Sequence, residues 1–182
     1  MTRRTFGAPE PDGAPEPDGA REPGDLPESV VLTGQSVVPG TAEAALLYTT
    51  EPLSFWGGYD PDTGRIIDRR HPLAGRNAAG LILAIPATRG SSTTTAVLLE
   101  SVRSGTAPAA IVTAGSDPVL ALASVVASEM YGRPIPIIAL VAADYRRLRT
   151  AGHVRVTDVG QVEFVSGSGV SGSRAARPAR RR

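Results

Sequence analysis

The 182-residue chain contains no cysteine and no lysine, two histidines, and only 4% aromatic residues. Without cysteine there is no disulfide, no thiolate nucleophile, and no thiolate to hold zinc or an iron-sulfur cluster. Any such metal centre must belong to another chain. Nowhere is there an apolar run long enough to span a bilayer, and no apolar stretch follows Met1, so no membrane segment or secretory leader is expected and the expected location is cytoplasmic. The net charge of +1 gives the whole molecule no affinity for nucleic acid or a membrane. All 19 basic residues are arginine, a bias for which the sequence offers no structural reason.

What is present fits one soluble domain with two polar tails, since 41% of the residues are hydrophobic and 20% charged. The segment Gly7-Ala8-Pro9-Glu10-Pro11-Asp12 recurs as Gly13-Ala14-Pro15-Glu16-Pro17-Asp18. Such an acidic Pro/Gly tract cannot bury apolar surface, so residues 1–28 are expected to be disordered. Residues 166–182 alternate Ser and Gly and end on Arg180, Arg181 and Arg182. This tail has no aromatic residues on which bases could stack, so a solvated basic tail is the better reading than RNA binding. The folded domain is expected over residues 29–165.

Within it, one stretch stands out. The apolar run Leu81 to Ile85 leads through Pro86-Ala87-Thr88-Arg89-Gly90 into Ser91, Ser92, Thr93, Thr94 and Thr95, and then into the amphipathic run Ala96 to Val102. This is a strand, a glycine turn and a helix start. Hydroxyls and free N–H groups at the positive end of a helix dipole suit an anion or an alkoxide. Ordinary N-capping would account for one hydroxyl, and both readings stand on the residues alone.

A long loop precedes that turn. Glu51 to Pro72 carries the single tryptophan in Phe55-Trp56-Gly57-Gly58 and includes His71, which reads as structural or exposed. Loops of this length are commonly binding or interface segments, although the rings could instead pack on this domain's own core. The remainder alternates strand and helix: Ala109 to Val112, a helix capped by Asp117 with Pro118 in its first turn and stopped by Gly132, and Ile135 to Val141. Short connections between such elements imply a parallel sheet. Val154 to Val156 and Gln161 to Val165 read as an antiparallel pair. With Val30 to Leu32 and Ala44 to Tyr48 they suggest a second, antiparallel layer.

Several motifs together carry a resemblance. Val37-Val38-Pro39-Gly40-Thr41-Ala42-Glu43, Pro52-Leu53-Ser54-Phe55-Trp56-Gly57-Gly58, Asp60-Pro61-Asp62-Thr63-Gly64, Asp68-Arg69-Arg70-His71-Pro72 and Arg89-Gly90-Ser91-Ser92 occur in order. Gly105 to Ile111 and Gly132 to Pro136 continue the series. The chain resembles the small subunit, or swivel domain, of the aconitase X family over nearly all of residues 29–140. The resemblance implies an α/β fold in the form of a swivelling β/β/α three-layer domain, with a mainly parallel central sheet and a small antiparallel layer. It also implies a hydro-lyase whose site is shared with a larger, cysteine-bearing subunit holding an iron-sulfur cluster.

By that resemblance Ser91 is the proton acceptor and Arg89 its catalytic neighbour, pairing with the substrate carboxylate or steadying the alkoxide. Gly90 and Ser92 shape the substrate-binding turn, and Phe55, Trp56, Gly57 and Gly58 face the large subunit. No metal ligand is assigned to this chain. The substrate expected is cis-3-hydroxy-L-proline, with 5-phosphomevalonate as the alternative. A non-catalytic ligand-binding or regulatory module is the reading from another class. A phosphohistidine carrier is set aside, because neither His71 nor His153 opens a glycine-rich helix.

Overall fold

In the computed structural model the described residues are 30–90 and 93–165. The expectations for residues 1–28 and 166–182, and for Ser91 and Ser92, lie outside them. The strands are β1 (Val31–Thr33), β2 (Gln35–Val38), β3 (Ala42–Tyr48), β4 (Ile82–Ala84), β5 (Ala110–Thr113), β6 (Ile137–Ala139), β7 (His153–Val156) and β8 (Gln161–Phe164). The helices are α1 (Thr93–Ser104), α2 (Pro118–Tyr131) and α3 (Ala142–Arg147), the last running into a single 3-10 turn at Leu148–Thr150.

The strands of the described residues join in one mixed sheet, in the order β1, β8, β7, β3, β4, β5, β6, β2. β4, β5 and β6 are parallel to one another and to β3, while β1, β8 and β7 run antiparallel on the other side of β3. Two chain segments serve both parts. Ala42 to Ala45 pair with β7, and Leu46 to Tyr48 pair with β4. Likewise β1 pairs with β8 whereas β2, one residue further on, pairs antiparallel with β6.

Gly34 makes that second switch possible. A Cβ there would lie 2.4 Å from the carbonyl oxygen of Ala139, and its N–H donates to the Gly160 carbonyl at 2.9 Å. Only glycine permits so close an approach of backbones. The sheet therefore folds over itself around an apolar interior that includes Leu32, Ile82, Val112, Ile138, Val154 and Val162.

The sequence expectation of a separate antiparallel layer needs amending in two places. The C-terminal half of β3 belongs to the parallel ladder, and β2 is an additional strand on the far edge.

The other face of the parallel strands is covered by α1, α2 and the loop of residues 49–81. Leu83, Ile85 and Ile111 from the strands meet Leu98 and Val102 of α1, Leu120, Ala123 and Ala127 of α2, and Leu53, Phe55, Tyr59 and Ile66 of the loop. α2 forms where the sequence indicates. Asp117 accepts from the N–H groups of Val119 and Leu120, Pro118 occupies the first turn, and Gly132 ends the helix in the left-handed region at φ 62°.

Buried hydroxyls fasten these pieces together. Ser124 donates to the carbonyl of Ile135 at 2.7 Å and accepts from its N–H at 2.8 Å, tying α2 to the segment that enters β6. The Tyr59 hydroxyl donates to the Thr106 carbonyl at 2.8 Å, pinning the loop to the end of α1, and burial, with Asp60 adjacent, raises its pKa well above that of a free phenol.

Candidate active site

The turn after β4 is held on two sides before it reaches α1. Leu53 and Thr88 form a parallel bridge, in which the Arg89 N–H donates to the Leu53 carbonyl at 2.9 Å and the Leu53 N–H to the Ala87 carbonyl at 3.3 Å. On the opposite side, Oδ2 of Asp117 accepts from both the N–H (2.8 Å) and the hydroxyl (2.7 Å) of Thr88. Asp117 is 7% exposed. Its Oδ1 caps α2 and its Oδ2 clamps the turn, so one carboxylate fixes two backbone segments. Gly90 follows with φ at +120°, where a side chain would be strained, and α1 begins at Thr93. Ser91 and Ser92 fall between those two described points.

Not every hydroxyl of the run faces a ligand site. Thr94 is buried in the core, and Oγ1 of Thr95 is enclosed with no hydrogen-bond partner among the described residues.

Beside the turn lies a cleft of about 820 Å³. Arg89 forms one side. The opposite wall comes from the loop of residues 49–81, through Glu51 and Pro52, Ser54, Trp56, Gly57 and Gly58, and then Asp68, Arg70, His71 and Pro72. The cleft therefore holds guanidinium and carboxylate groups together. An ion pair crosses it: Nη2 of Arg89 stands 3.7 Å from Oδ2 of Asp68. His71 is in the wall but fully engaged. Nδ1 accepts from the Leu73 N–H at 3.2 Å, which leaves Nε2, 3.4 Å from the Glu51 carbonyl, to carry the proton.

Of the residues expected at an interface, Trp56 is 69% exposed and Gly57 is exposed, both at the cleft rim. Phe55 and Gly58 must be corrected. Phe55 is 0% exposed and packs its ring against Tyr59 with centroids 5.3 Å apart, so it offers no surface to a partner. Gly58 is buried, and a Cβ there would stand 2.2 Å from the Ser54 carbonyl oxygen. Its role is to close the turn. The sequence reading assigned no role to Asp68 or Glu51, and it saw Asp117 only as a helix cap. Nothing in the local pattern signals the other side of a contact made 29 residues away.

Among the described residues no three His, Asp or Glu side chains gather to hold a metal ion, and no helix is long and apolar enough to cross a membrane. With no thiolate in the sequence, the donor set does not fit an iron-sulfur cluster.

Comparison with known proteins decides the family. A family model described as the aconitase X swivel domain matches residues 31–164. The chain belongs to the aconitase X swivel domain family. It is similar to a cis-3-hydroxy-L-proline dehydratase of Pseudomonas aeruginosa, with 48% identity over 110 residues, which is 60% of this chain and 19% of the relative. This swivel domain thus spans about a fifth of that dehydratase's length. A phosphomevalonate dehydratase small subunit of Thermococcus gammatolerans is 35% identical over 137 residues, covering 75% of this chain and 98% of the relative. The crystal structure of Thermococcus kodakaraensis aconitase X in its holo-form superposes with a TM-score of 0.67 at 31% identity, over 75% of this chain and 99% of that one.

Proposed function

We propose that this aconitase X swivel domain supplies the proton-accepting half of a hydro-lyase site, completed by a larger aconitase X chain or domain. The observation that carries the reading is the Thr88-Arg89-Gly90 turn. It is anchored to both Leu53 and Asp117, leads into the N-terminus of α1, and sets Arg89 over an open cleft.

Loss of water from a β-hydroxy acid requires a base for the proton next to the carboxylate and an acceptor for the departing hydroxide. Ser91, in the segment that joins Gly90 to α1, is the base in this reading. A serine hydroxyl accepts such a proton only from its alkoxide state, and the Arg89 guanidinium and the α1 dipole are this chain's means of stabilising it. The Arg89 fork is equally suited to the substrate carboxylate. Gly90 and Ser92 shape the turn. Among the described residues no cluster of side chains gathers a metal ion that could receive the hydroxide. The larger partner is the expected source of that function and of the iron-sulfur cluster associated with it, and Trp56 and Gly57 at the cleft rim are the proposed contact with it. In the β/β/α arrangement proposed for the family, the domain swivels as one body against that partner.

The substrate proposed is cis-3-hydroxy-L-proline. The 48% identity to a dehydratase of that name supports it, as does the mixed charge of the cleft, since a cyclic amino acid carries a carboxylate and an ammonium together. The alternative, 5-phosphomevalonate, is supported by similarity to phosphomevalonate dehydratase small subunits over nearly their full length. It would bring only negative charge to a cleft in which the guanidinium groups of Arg70 and Arg89 are matched by the carboxylates of Glu51 and Asp68.

The test is anaerobic co-expression with an aconitase X large chain, followed by assay of water loss from both compounds. Removing a general base costs on the order of 10²–10⁴-fold, so Ser91→Ala should lower kcat by about that factor while the pair still assembles. A Ser91→Ala variant with kcat close to wild type would refute the base assignment. Assembly without turnover of either compound would favour a ligand-binding module.

A further inference from the structure

We propose that Asp68 is the positioning residue for Arg89, a role that rests on the hydro-lyase reading above. Arg89 projects from the turn with 62% of its side chain exposed. A free arginine there would sample many rotamers, and ordering it on substrate binding would be costly. Among the described residues its guanidinium forms an ion pair with Asp68.

Asp68 is itself aimed. Its Oδ1 accepts from the Arg70 N–H at 3.0 Å, a local turn that fixes the side-chain torsion and leaves Oδ2 directed across the cleft. Its Cβ lies 3.6 Å from where a Gly58 side chain would begin, so the bare glycine leaves the space beside it open. The Asp68 side chain is 23% exposed and the Arg89 side chain 62%, so the pull on the guanidinium is that of a surface pair and acts as a modest orienting bias.

The distance matters as much as the sign. At 3.7 Å the contact is an ion pair but not a hydrogen bond. Asp68 therefore orients the guanidinium without consuming its N–H donors, which stay available for an incoming carboxylate. The pair also explains why a loop about twenty residues before the catalytic turn should be needed for chemistry at that turn.

The test has two arms, both on the full chain. Asp68→Asn is suited to both, because the amide oxygen can still accept from the Arg70 N–H and keep the local turn. Asp68→Glu tests rescue of charge. In the first arm, arginine side-chain NMR follows the Arg89 Nε–Hε signal, identified by its loss in Arg89→Lys. Asp68→Asn should move this signal toward that of an unrestrained arginine, and Asp68→Glu should return it part of the way. An Arg89 signal unchanged in Asp68→Asn would overturn the proposal.

In the second arm, with the large chain, Asp68→Asn should raise KM for hydroxyproline about three- to fivefold, the scale of an exposed ion pair, with kcat within about twofold, and add little to Arg89→Lys in the double variant. A kcat loss at unchanged KM, or full additivity with Arg89→Lys, would also overturn it. If the wild-type pair turns over neither substrate, the hydro-lyase reading fails, and the NMR arm still decides whether Asp68 holds Arg89.

Discussion

Asp117 is the residue whose removal should report most directly on how the turn carrying Arg89 is held. It accepts four hydrogen bonds, two as the N-cap of α2 and two from Thr88. The cap contributes about 1 kcal/mol. Each bond from Thr88 to a charged acceptor would contribute more in a dry interior, but Thr88 is only half-buried and water can replace part of it, so about 1 kcal/mol each is appropriate. Asp117→Ala should therefore destabilise the domain by about 3 kcal/mol, or roughly 10 °C in Tm for a domain of this size.

Asp117→Ser separates the two functions. Serine caps a helix well but is too short to reach Thr88, so its cost should be about 2 kcal/mol, nearly all of it from the clamp. Thr88→Val, which deletes one of the four bonds, should cost about 1 kcal/mol. Urea unfolding of the three variants gives this ladder directly. If Asp117→Ser were as stable as wild type, the contact to Thr88 would carry nothing and the turn would be held from the Leu53 side alone.

Other outcomes follow from burial and backbone geometry. Phe55→Ala should cost about 3–5 kcal/mol in chemical denaturation, whereas Trp56→Ala, one residue on, should change stability by about 0.5 kcal/mol or less and instead weaken co-purification with the large chain. Gly57→Ala should cost about 1–2 kcal/mol through its positive φ of 70° alone, while Gly58→Ala, meeting the Ser54 carbonyl at 2.2 Å, should be markedly worse in the same assay. Asp60 has its pKa lowered, first by the Thr63 hydroxyl and then by the Asp62 N–H. Its folded-state pKa lies below the unfolded one, so its stabilising contribution is present above the usual carboxylate range and fades as pH falls through the folded value. A carboxyl NMR titration should find Asp60 titrating higher in Thr63→Val, and an identical midpoint would refute the assignment.

How much of this was readable from the residues depended on whether the cause was local. α2 is announced by Asp117, Pro118 and Gly132, each acting within its own turn. The α/β alternation from Leu81 to Val141 rests on apolar runs that are likewise local. β2 escaped because Val37 and Val38 are framed by Gly34 and Pro39, and what makes the segment a strand is β6, about a hundred residues away. Phe55 was placed at an interface because aromatic side chains in a loop ordinarily signal binding. Here the loop does the work of a helix, covering the sheet face beside α1 and α2, and it brings its own core side chains. The Arg89-Gly90 segment was legible as a glycine turn between a strand and a helix, but the carboxylates around it, Asp68 and Asp117, are assembled by tertiary structure and had no signature beside the turn.

That dependence has a consequence for the chemistry. The turn carrying Arg89 is fixed at one point to the irregular loop through Leu53, at a second to α2 through Asp117, and at a third, through its guanidinium, to Asp68. The first two hold backbone and the third holds charge. A perturbation of the loop core, such as at Phe55 or Tyr59, should therefore loosen the Leu53 and Asp68 contacts together while leaving the Asp117 clamp in place. Phe55→Leu, a moderate change in volume, should show faster hydrogen exchange at the Arg89 amide, which donates to Leu53, than at the Thr88 amide, which donates to Asp117. Equal acceleration at both amides would mean that loop and helix open as one unit, and that the Arg89 turn is no more dependent on the loop than on α2.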